Sequence, residues 1–385
     1  MKIFKKLVLY FVLILFYISI AEFILRLFDP EVVFVKSFDD DLLFSMYPNK
    51  SGYVVSDEYK VLVETNNFGG RQKLTSDNYP VLLVGDSFSE GWGVEENEVF
   101  TEIANKELPK DKKIRNMGVH GSSPSLMYIH LKEYVKKFRP EVVYIQLFDN
   151  DLDDIDKFEI FLEEKDGIRI PKKPLLAKIF STPLYNFVKE STTIRLIKRS
   201  LKFAKGGTEP ILYYKENRVP DVKLLNHQES LQKYGRLTPL SESIQTKYNG
   251  QFEFYASAET QIWKDRLEKE IYYLDLIFDL LTENNIKMGI IYIPAKEFFA
   301  KGGILGDIKS HEIKAYEQKN PHLKNIQSFC EMKFIDCLMT SRLLWNVNPE
   351  NLYFPYDAHW NGEGHKVFGK IFVQHLQKSP LFNSN

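Results

Sequence analysis

Apolar residues fill the stretch from Leu7 to Leu25 with only Ser19 and Glu22 interrupting, and Lys2, Lys5 and Lys6 stand just ahead of it. Past position 80 the pattern changes. Short apolar runs ending in polar turns alternate with stretches of helical period, as strands and helices do when they take turns along a chain. Val81–Val84 stops at Gly85-Asp86-Ser87 and reads as a buried strand. Val94 to Leu108 follows as a helix, with Val99, Ile103, Ala104 and Leu108 on its apolar side. Ile114 to Val119 is the second strand, ending in His120-Gly121-Ser122-Ser123-Pro124, and Ser125 to Phe138 is the next helix. Val142 to Phe148 is the third strand and runs into Asp149-Asn150-Asp151. This rhythm predicts an α/β domain in which a parallel sheet carries helices on its faces. It also brings three polar turns, after Val84, Val119 and Phe148, to one edge of the sheet. Ligands bind at that edge in open α/β sheets.

From Leu152 to about Ala258 the period is lost, and Pro171, Pro174, Pro183, Pro210 and Pro220 punctuate the segment. Residues 152–258 are expected to form an inserted cap over the sheet edge. Within them, Lys172 to Lys205 carries nine Lys/Arg and one acid, Glu190. Such a stretch suits an anionic surface, and equally a solvated helix face. Regular structure resumes with a helix from Thr260 to Asn284 and a strand from Ile286 to Ile293. A helix around Asn320 to Glu331, a strand at Lys333 to Leu338 and a last helix from His365 to Leu376 complete the alternation. Ahead of the domain, Tyr53–Val55 and Val61–Glu64 look like short strands, and Arg71 is expected to make a structural contact. The predicted organisation is residues 1–28 as anchor or signal peptide, 29–79 as linker with strands, and 80–385 as the main domain.

The N-terminal apolar run approaches the length needed to cross a bilayer, about 20 residues. Lysines on its near side predict that this end stays in the cytoplasm and that the remaining chain lies outside the membrane. Ser19-Ile20-Ala21 also fits a small-x-small cleavage pattern, so a cleaved signal peptide is the rival reading. Apolar residues continuing through Phe28 favour an uncleaved anchor, with Glu22 and Arg26 one helical turn apart. Cys330 and Cys337 are the only cysteines, too few for a disulfide framework or a zinc site. Export permits a bridge between them, and two buried thiols is the plainer expectation.

With 44% hydrophobic and 27% charged residues, the chain is globular; a net charge of −1 gives no electrostatic case for nucleic acid. Candidate chemistry starts at Ser87, presented at a strand end, with Gly85 expected to free the backbone for a sharp turn. Asp357 and His359 lie in Tyr353 to Asn361, a turn following the last strand. A histidine beside an acid is suited to act as a base whose tautomer the acid fixes. Asp149 and Asp151 lack further metal ligands nearby, so neither a metal nor a cofactor is expected. Asp86 and His365 are read as structural, and Trp92 and Trp360 as pocket walls.

These residues together resemble the SGNH, or GDSL-type, hydrolases, whose flavodoxin-like three-layer α/β/α domain carries four separated blocks. Gly85-Asp86-Ser87 is similar to the first, with Ser87 as nucleophile. Gly121 in Asn116-Met117-Gly118-Val119-His120-Gly121 matches the second, and Asn150 in Phe148-Asp149-Asn150-Asp151 the third. Asp357 and His359 match the last block. The resemblance covers about residues 80–150 and 285–376. It implies a Ser87-His359-Asp357 triad with an oxyanion hole from the Ser87 and Gly121 N–H groups and the Asn150 amide. Phe148 stands where the third block normally has glycine, a difference expected to reshape the pocket floor. Asp-x-His-Trp-Asn resembles the last block of exported members, including those of alginate O-acetylation, although in that branch the motif precedes the serine. Position 89 is Ser89, so the Gly-x-Ser-x-Gly elbow of ordinary α/β-hydrolases is absent. The implied activity is ester hydrolysis on a small molecule, lipid or acylated glycan. The alternatives are O-acyl transfer to a cell-surface polysaccharide and a non-catalytic binding module.

Overall fold

The computed structural model describes residues 2–28, 37–39, 41–55, 58–75, 79–165, 168–172, 191–194, 197, 261–295, 320–345, 349–354, 357 and 359–383. Five strands form its central sheet: β5 (Val81–Val84), β6 (Ile114–Asn116), β7 (Val142–Phe148), β10 (Lys287–Ile293) and β11 (Asp336–Met339). They lie in the order β11-β10-β7-β5-β6, and every pairing is parallel. Each residue of β5 and β7 is buried, as expected of central strands covered on both faces. The α/β reading of the sequence holds here. The second strand is shorter than expected, because the Asn116 side chain turns back to accept from the Gly118 N–H at 2.9 Å.

Helices α3 (Phe100–Glu107) and α8 (Gly362–Lys378) pack against each other. A second set, α4 (Pro124–Phe138), α5 (Asp151–Glu159), α6 (Gln261–Glu283) and α7 (Pro321–Lys333), packs together as well. Right-handed crossovers explain the division. The chain leaves β5 for β6 in one direction through α3, then reverses past β5 to β7, β10 and β11, which moves α4, α6 and α7 to the other face. The reversal point lies between β5 and β7, the position at which ligands bind in open α/β sheets.

Helix α5 belongs to a face layer, and the hairpin of β8 (Leu162–Lys165) and β9 (Ile168–Pro171) follows it and packs on α4. The rest of the expected cap, and most of the basic stretch from 172 to 205, lies outside the described residues.

Helix α1 (Lys2–Phe28) covers the N-terminal apolar run, with Leu9, Val12, Ile14, Phe16 and Phe23 exposed. Among the described residues no helix is long and apolar enough to cross a membrane; within α1 the side chains at 2, 3, 7, 8, 11, 15, 26 and 28 are outside that set. Glu22, which the spacing sets opposite Arg26, is buried. It accepts hydrogen bonds from the Ser191 and Thr193 hydroxyls and the Thr192 and Thr193 N–H groups at 2.8–3.0 Å.

The short hairpin of β1 (Ser37–Asp39) and β2 (Leu43–Ser45) is followed by a second, formed by β3 (Ser51–Val55) and β4 (Lys60–Glu64). That second hairpin does not behave as a linker. Val61 and Val63 pack with Met46 and with Val119, in the turn after β6. Gln72 extends the attachment by accepting from the Asn116 N–H at 3.1 Å and donating to the Ile114 carbonyl at 2.8 Å.

Cys330 and Cys337 are bridged, rather than two separate thiols. Phe334, at φ 54°, turns the chain sharply after α7, and the Ile335 N–H returns to the Cys330 carbonyl. This fold-back brings the two Cα atoms to 6.3 Å, within disulfide reach. Closing so short a loop contributes about 2 kcal/mol. Cys330→Ala/Cys337→Ala is therefore expected to lose about 2 kcal/mol in urea unfolding, and the wild type to lose a similar amount under reducing conditions.

Candidate active site

Ser87 does not sit in an irregular turn. It opens a four-residue helix, α2 (Ser87–Glu90), directly beyond β5, and Asp86 caps that helix by accepting the Phe88 N–H at 2.9 Å. A buried amide in the neighbouring strand fixes the junction. Gln146 Oε1 accepts from the Asp86 N–H at 3.1 Å, the Ser89 N–H at 3.2 Å and the Ser89 hydroxyl at 2.8 Å. Gly85 is needed for room rather than for unusual dihedrals, since it is absent from the positive-φ glycines. A Cβ there would lie 2.5 Å from both Gln146 Oε1 and Ser89 Oγ. Burial pushes the Asp86 carboxyl up to about 6 despite the bond from Phe88.

The sequence-predicted serine, histidine and acid come together across the whole domain. His359 Nε2 lies 2.7 Å from Ser87 Oγ, and His359 Nδ1 bonds Asp357 Oδ1. The carboxylate accepts a hydrogen bond from Nδ1–H, which keeps the proton on Nδ1 and leaves Nε2 to accept from the Ser87 hydroxyl. A bridge between Tyr353 and Trp360 shapes the turn that carries both residues, and Phe88 packs on the His359 ring at 5.1 Å. His359 and Asp357 remain 25% and 22% exposed, so the imidazole is open to solvent.

The three predicted donors lie beyond three neighbouring strands. Ser87 is at the head of α2, Gly121 follows β6 at φ 62°, and Asn150 follows β7. The N–H groups of Ser87 and Gly121 take no hydrogen-bond partner among the described residues. Asn150 Nδ2 donates one hydrogen to Asp154 Oδ2 at 3.2 Å, which orients the amide and leaves its second hydrogen available. Phe148, at the usual glycine position, packs its ring against Phe88 at 4.6 Å.

Trp360 corrects an expectation. It is fully buried behind the site, against Phe88 at 5.2 Å and Phe368 at 4.8 Å, and walls no pocket. Trp92 does line the region, with its ring 4.9 Å from His120 and 6.2 Å from His359. His365 is structural: its Nδ1 accepts the Phe100 N–H at 3.3 Å, and burial pushes it down to about 3. Arg71 is structural too, donating to the Gly91 and Val94 carbonyls and so clamping the loop after α2. Among the described residues no group of three or more His, Cys, Asp or Glu could hold a metal ion.

No family model matches this chain, and no curated protein does. Among solved structures, it is similar to a lipolytic protein of the G-D-S-L family from Veillonella parvula, at 9% identity over 78% of this chain and 98% of that one, TM-score 0.37. It is similar to the psychrotrophic esterase EstA from a Pseudoalteromonas species, at 8% identity over 78% and 97%, TM-score 0.37. The acetyl xylan esterase AlAXEase stands at 11% identity over 76% and 98%, with the same TM-score of 0.37. Likenesses of this grade decide nothing about chemistry, which rests on the side chains themselves.

Several supporting residues escaped the sequence reading. Glu90 is buried and accepts from the His120 N–H at 2.6 Å and from His120 Nδ1 at 2.8 Å. Burial alone would push the Glu90 carboxyl up, but His120 and Arg71 hold it below the usual range. Gln146 did carry a signal, as the one polar side chain inside an otherwise apolar strand. Asp149 joins a buried network: it accepts from the Tyr292 hydroxyl, the Ala295 N–H and His322 Nδ1. His322 Nε2 faces Glu270 Oε1 at 2.6 Å, and all three ionisable groups are fully buried. Both ring nitrogens face carboxylates, so the imidazole needs both protons. Burial would push His322 down, yet Glu270 and Asp149 outweigh it and push it up to about 10.

A histidine raised in the fold contributes stability that is complete below its unfolded value, about 6.5, and that disappears as pH climbs through the native value. Urea midpoints should therefore fall between about pH 7 and pH 10. Glu270→Gln removes the strongest upward influence, so the decline should still begin near the unfolded value but end at lower pH and be smaller in total. An unchanged profile in the variant would show that the buried network does not carry the effect.

Proposed function

We propose that this chain is a serine-dependent ester hydrolase of the SGNH type acting outside the cytoplasmic membrane. The observation that carries this reading is the unbroken chain of contacts from Ser87 Oγ through the His359 ring to Asp357. No purely structural purpose requires a partly exposed imidazole to accept from a serine hydroxyl at a strand end.

His359 Nε2 takes the Ser87 proton as Oγ attacks the ester carbonyl, and Asp357 stabilises the imidazolium that forms. Charge develops on the carbonyl oxygen, which the Ser87 and Gly121 N–H groups and the Asn150 amide receive as donors. The alkoxide leaves with the proton from His359. Water, deprotonated by the same imidazole, then attacks the acyl carbon; His359 returns that proton to Oγ as the acyl–Oγ bond breaks, releasing the carboxylic acid and free Ser87. Loss of one oxyanion donor costs about 10²–10³ in kcat in comparable sites. The substrate class is an ester-bearing small molecule, lipid or acylated glycan, and no cofactor enters the reaction.

The reading of an extracytoplasmic location rests on the lysines ahead of the Leu7 to Leu25 apolar run. The Cys330–Cys337 bridge fits an oxidising compartment.

A fluorophosphonate probe should label the wild type and leave Ser87→Ala unlabelled, and hydrolysis of p-nitrophenyl acetate should fall by about 10⁴ or more in that variant. Equal labelling of the two proteins would sink the nucleophile assignment. Appearance of the acetyl group on an added oligosaccharide, in place of free acetate, would instead mark acyl transfer. A periplasm-only reporter fused after residue 40 should be active, and a silent fusion would reject export.

A further inference from the structure

Asp357 is held from outside the parallel-sheet domain. Its Oδ1 is committed to His359, and its Oδ2 accepts the Tyr59 hydroxyl at 2.9 Å. The Asp357 N–H donates to Glu58 Oε2. Both partners belong to the connection between β3 and β4, 298 residues from Asp357 in the case of Tyr59. We propose that Tyr59 is a positioning residue for the reaction, fixing the Asp357 carboxylate so that it holds His359 in register with Ser87. This inference rests on the triad reading and adds a fourth member to it.

Three observations support the inference. First, the carboxylate is 22% exposed, so water competes for Oδ2 unless a protein donor occupies it. A carboxylate bonded through one oxygen can swing about its Cβ–Cγ bond; a donor on the second oxygen locks that torsion. Second, the Tyr59 ring is itself seated. It packs on Phe354 at 4.9 Å, and a Cβ on Gly93 would lie 2.8 Å from Phe354 Cε2 and 2.9 Å from Tyr59 Cε1. Gly93, at φ 83°, is thus the floor on which the two rings meet, in the loop that leaves α2. Third, the hairpin has its own ties to that loop. The Leu62 N–H donates to Glu95 Oε1 at 3.2 Å, and Arg71, which clamps Gly91 and Val94, also reaches the Leu62 carbonyl. The segment between the N-terminal helix and the sheet domain is therefore built into the acid end of the triad.

Replacing tyrosine by phenylalanine separates the hydroxyl from the ring. In the full-length protein, Tyr59→Phe should lower kcat for p-nitrophenyl acetate on the order of tenfold with KM within about twofold and thermal midpoint unchanged. Tyr59→Leu, which also removes the ring contact, should lose stability as well. The deciding measurement is the double variant: in an Asp357→Ala background, Tyr59→Phe should cost nothing more. Wild-type kcat in Tyr59→Phe, or an equal loss in both backgrounds, overturns the inference and leaves only a packing role for the ring. Ser87→Ala keeps the two readings apart. If it retains activity and probe labelling, the triad and the Tyr59 assignment fall together. If it loses both while Tyr59→Phe equals wild type, only the Tyr59 assignment falls.

Discussion

One amide oxygen in the middle of the sheet governs this architecture. Gln146 Oε1, fully buried on β7, gathers three hydrogen bonds from the residues on either side of Ser87. An unpartnered buried acceptor costs roughly 1–3 kcal/mol, so the strand and the helix cap are mutually dependent. The bonds fix where β5 stops and where α2 begins, and therefore where the Ser87 side chain emerges. Gly85 follows from the same constraint, since any side chain there would occupy the space of the amide and the Ser89 hydroxyl. The first helical turn after a strand leaves its leading N–H groups without intrahelical partners, and here Ser87 supplies one of them.

Around this point the sheet order does the assembling. Because the chain goes out to β6 and then reverses past β5 to β7, the turns carrying Ser87, Gly121 and Asn150 follow three adjacent strands. The opposite wall comes from the far end of the chain. The loop before α8 brings His359 to Ser87 over 272 residues, and its rear is filled by Trp360, Phe368 and Phe100. Tight aromatic packing behind the loop explains how a partly exposed histidine can keep one orientation. Beneath Asn150, Asp149 ties the end of β7 to β10 and to the base of α7 through Tyr292, Ala295 and His322.

Period and composition made much of this legible. The central strands were readable because four or more consecutive apolar residues can be satisfied only by burial on both faces. Ser87, His359 and Asp357 were readable because their residue types and order match a known chemical pattern. Other features left no local trace. Nothing about Tyr59 in a polar hairpin separates it from any surface tyrosine, and Glu270 and His322 sit in helices whose period reads as amphipathic. The bridge between Cys330 and Cys337 was unreadable because reach depends on the left-handed turn at Phe334, a residue with no special tendency toward it. Trp360 lies one residue from His359, yet adjacency in sequence says nothing about which side of a loop faces the core.

The sequence by itself determined the α/β class and the strands β5, β7 and β10, and it singled out Ser87, His359 and Asp357, which the fold brings into contact. Each of these depends on local pattern or residue chemistry, which survive without knowledge of neighbours. Tertiary structure decided what touches what. Only the folded chain places the Gln146 oxygen under Ser87, the charged network under Asn150 and the Tyr59 hydroxyl on Asp357. Those contacts join residues tens to hundreds of positions apart, and a directional bond between such residues is set by packing that no local window contains.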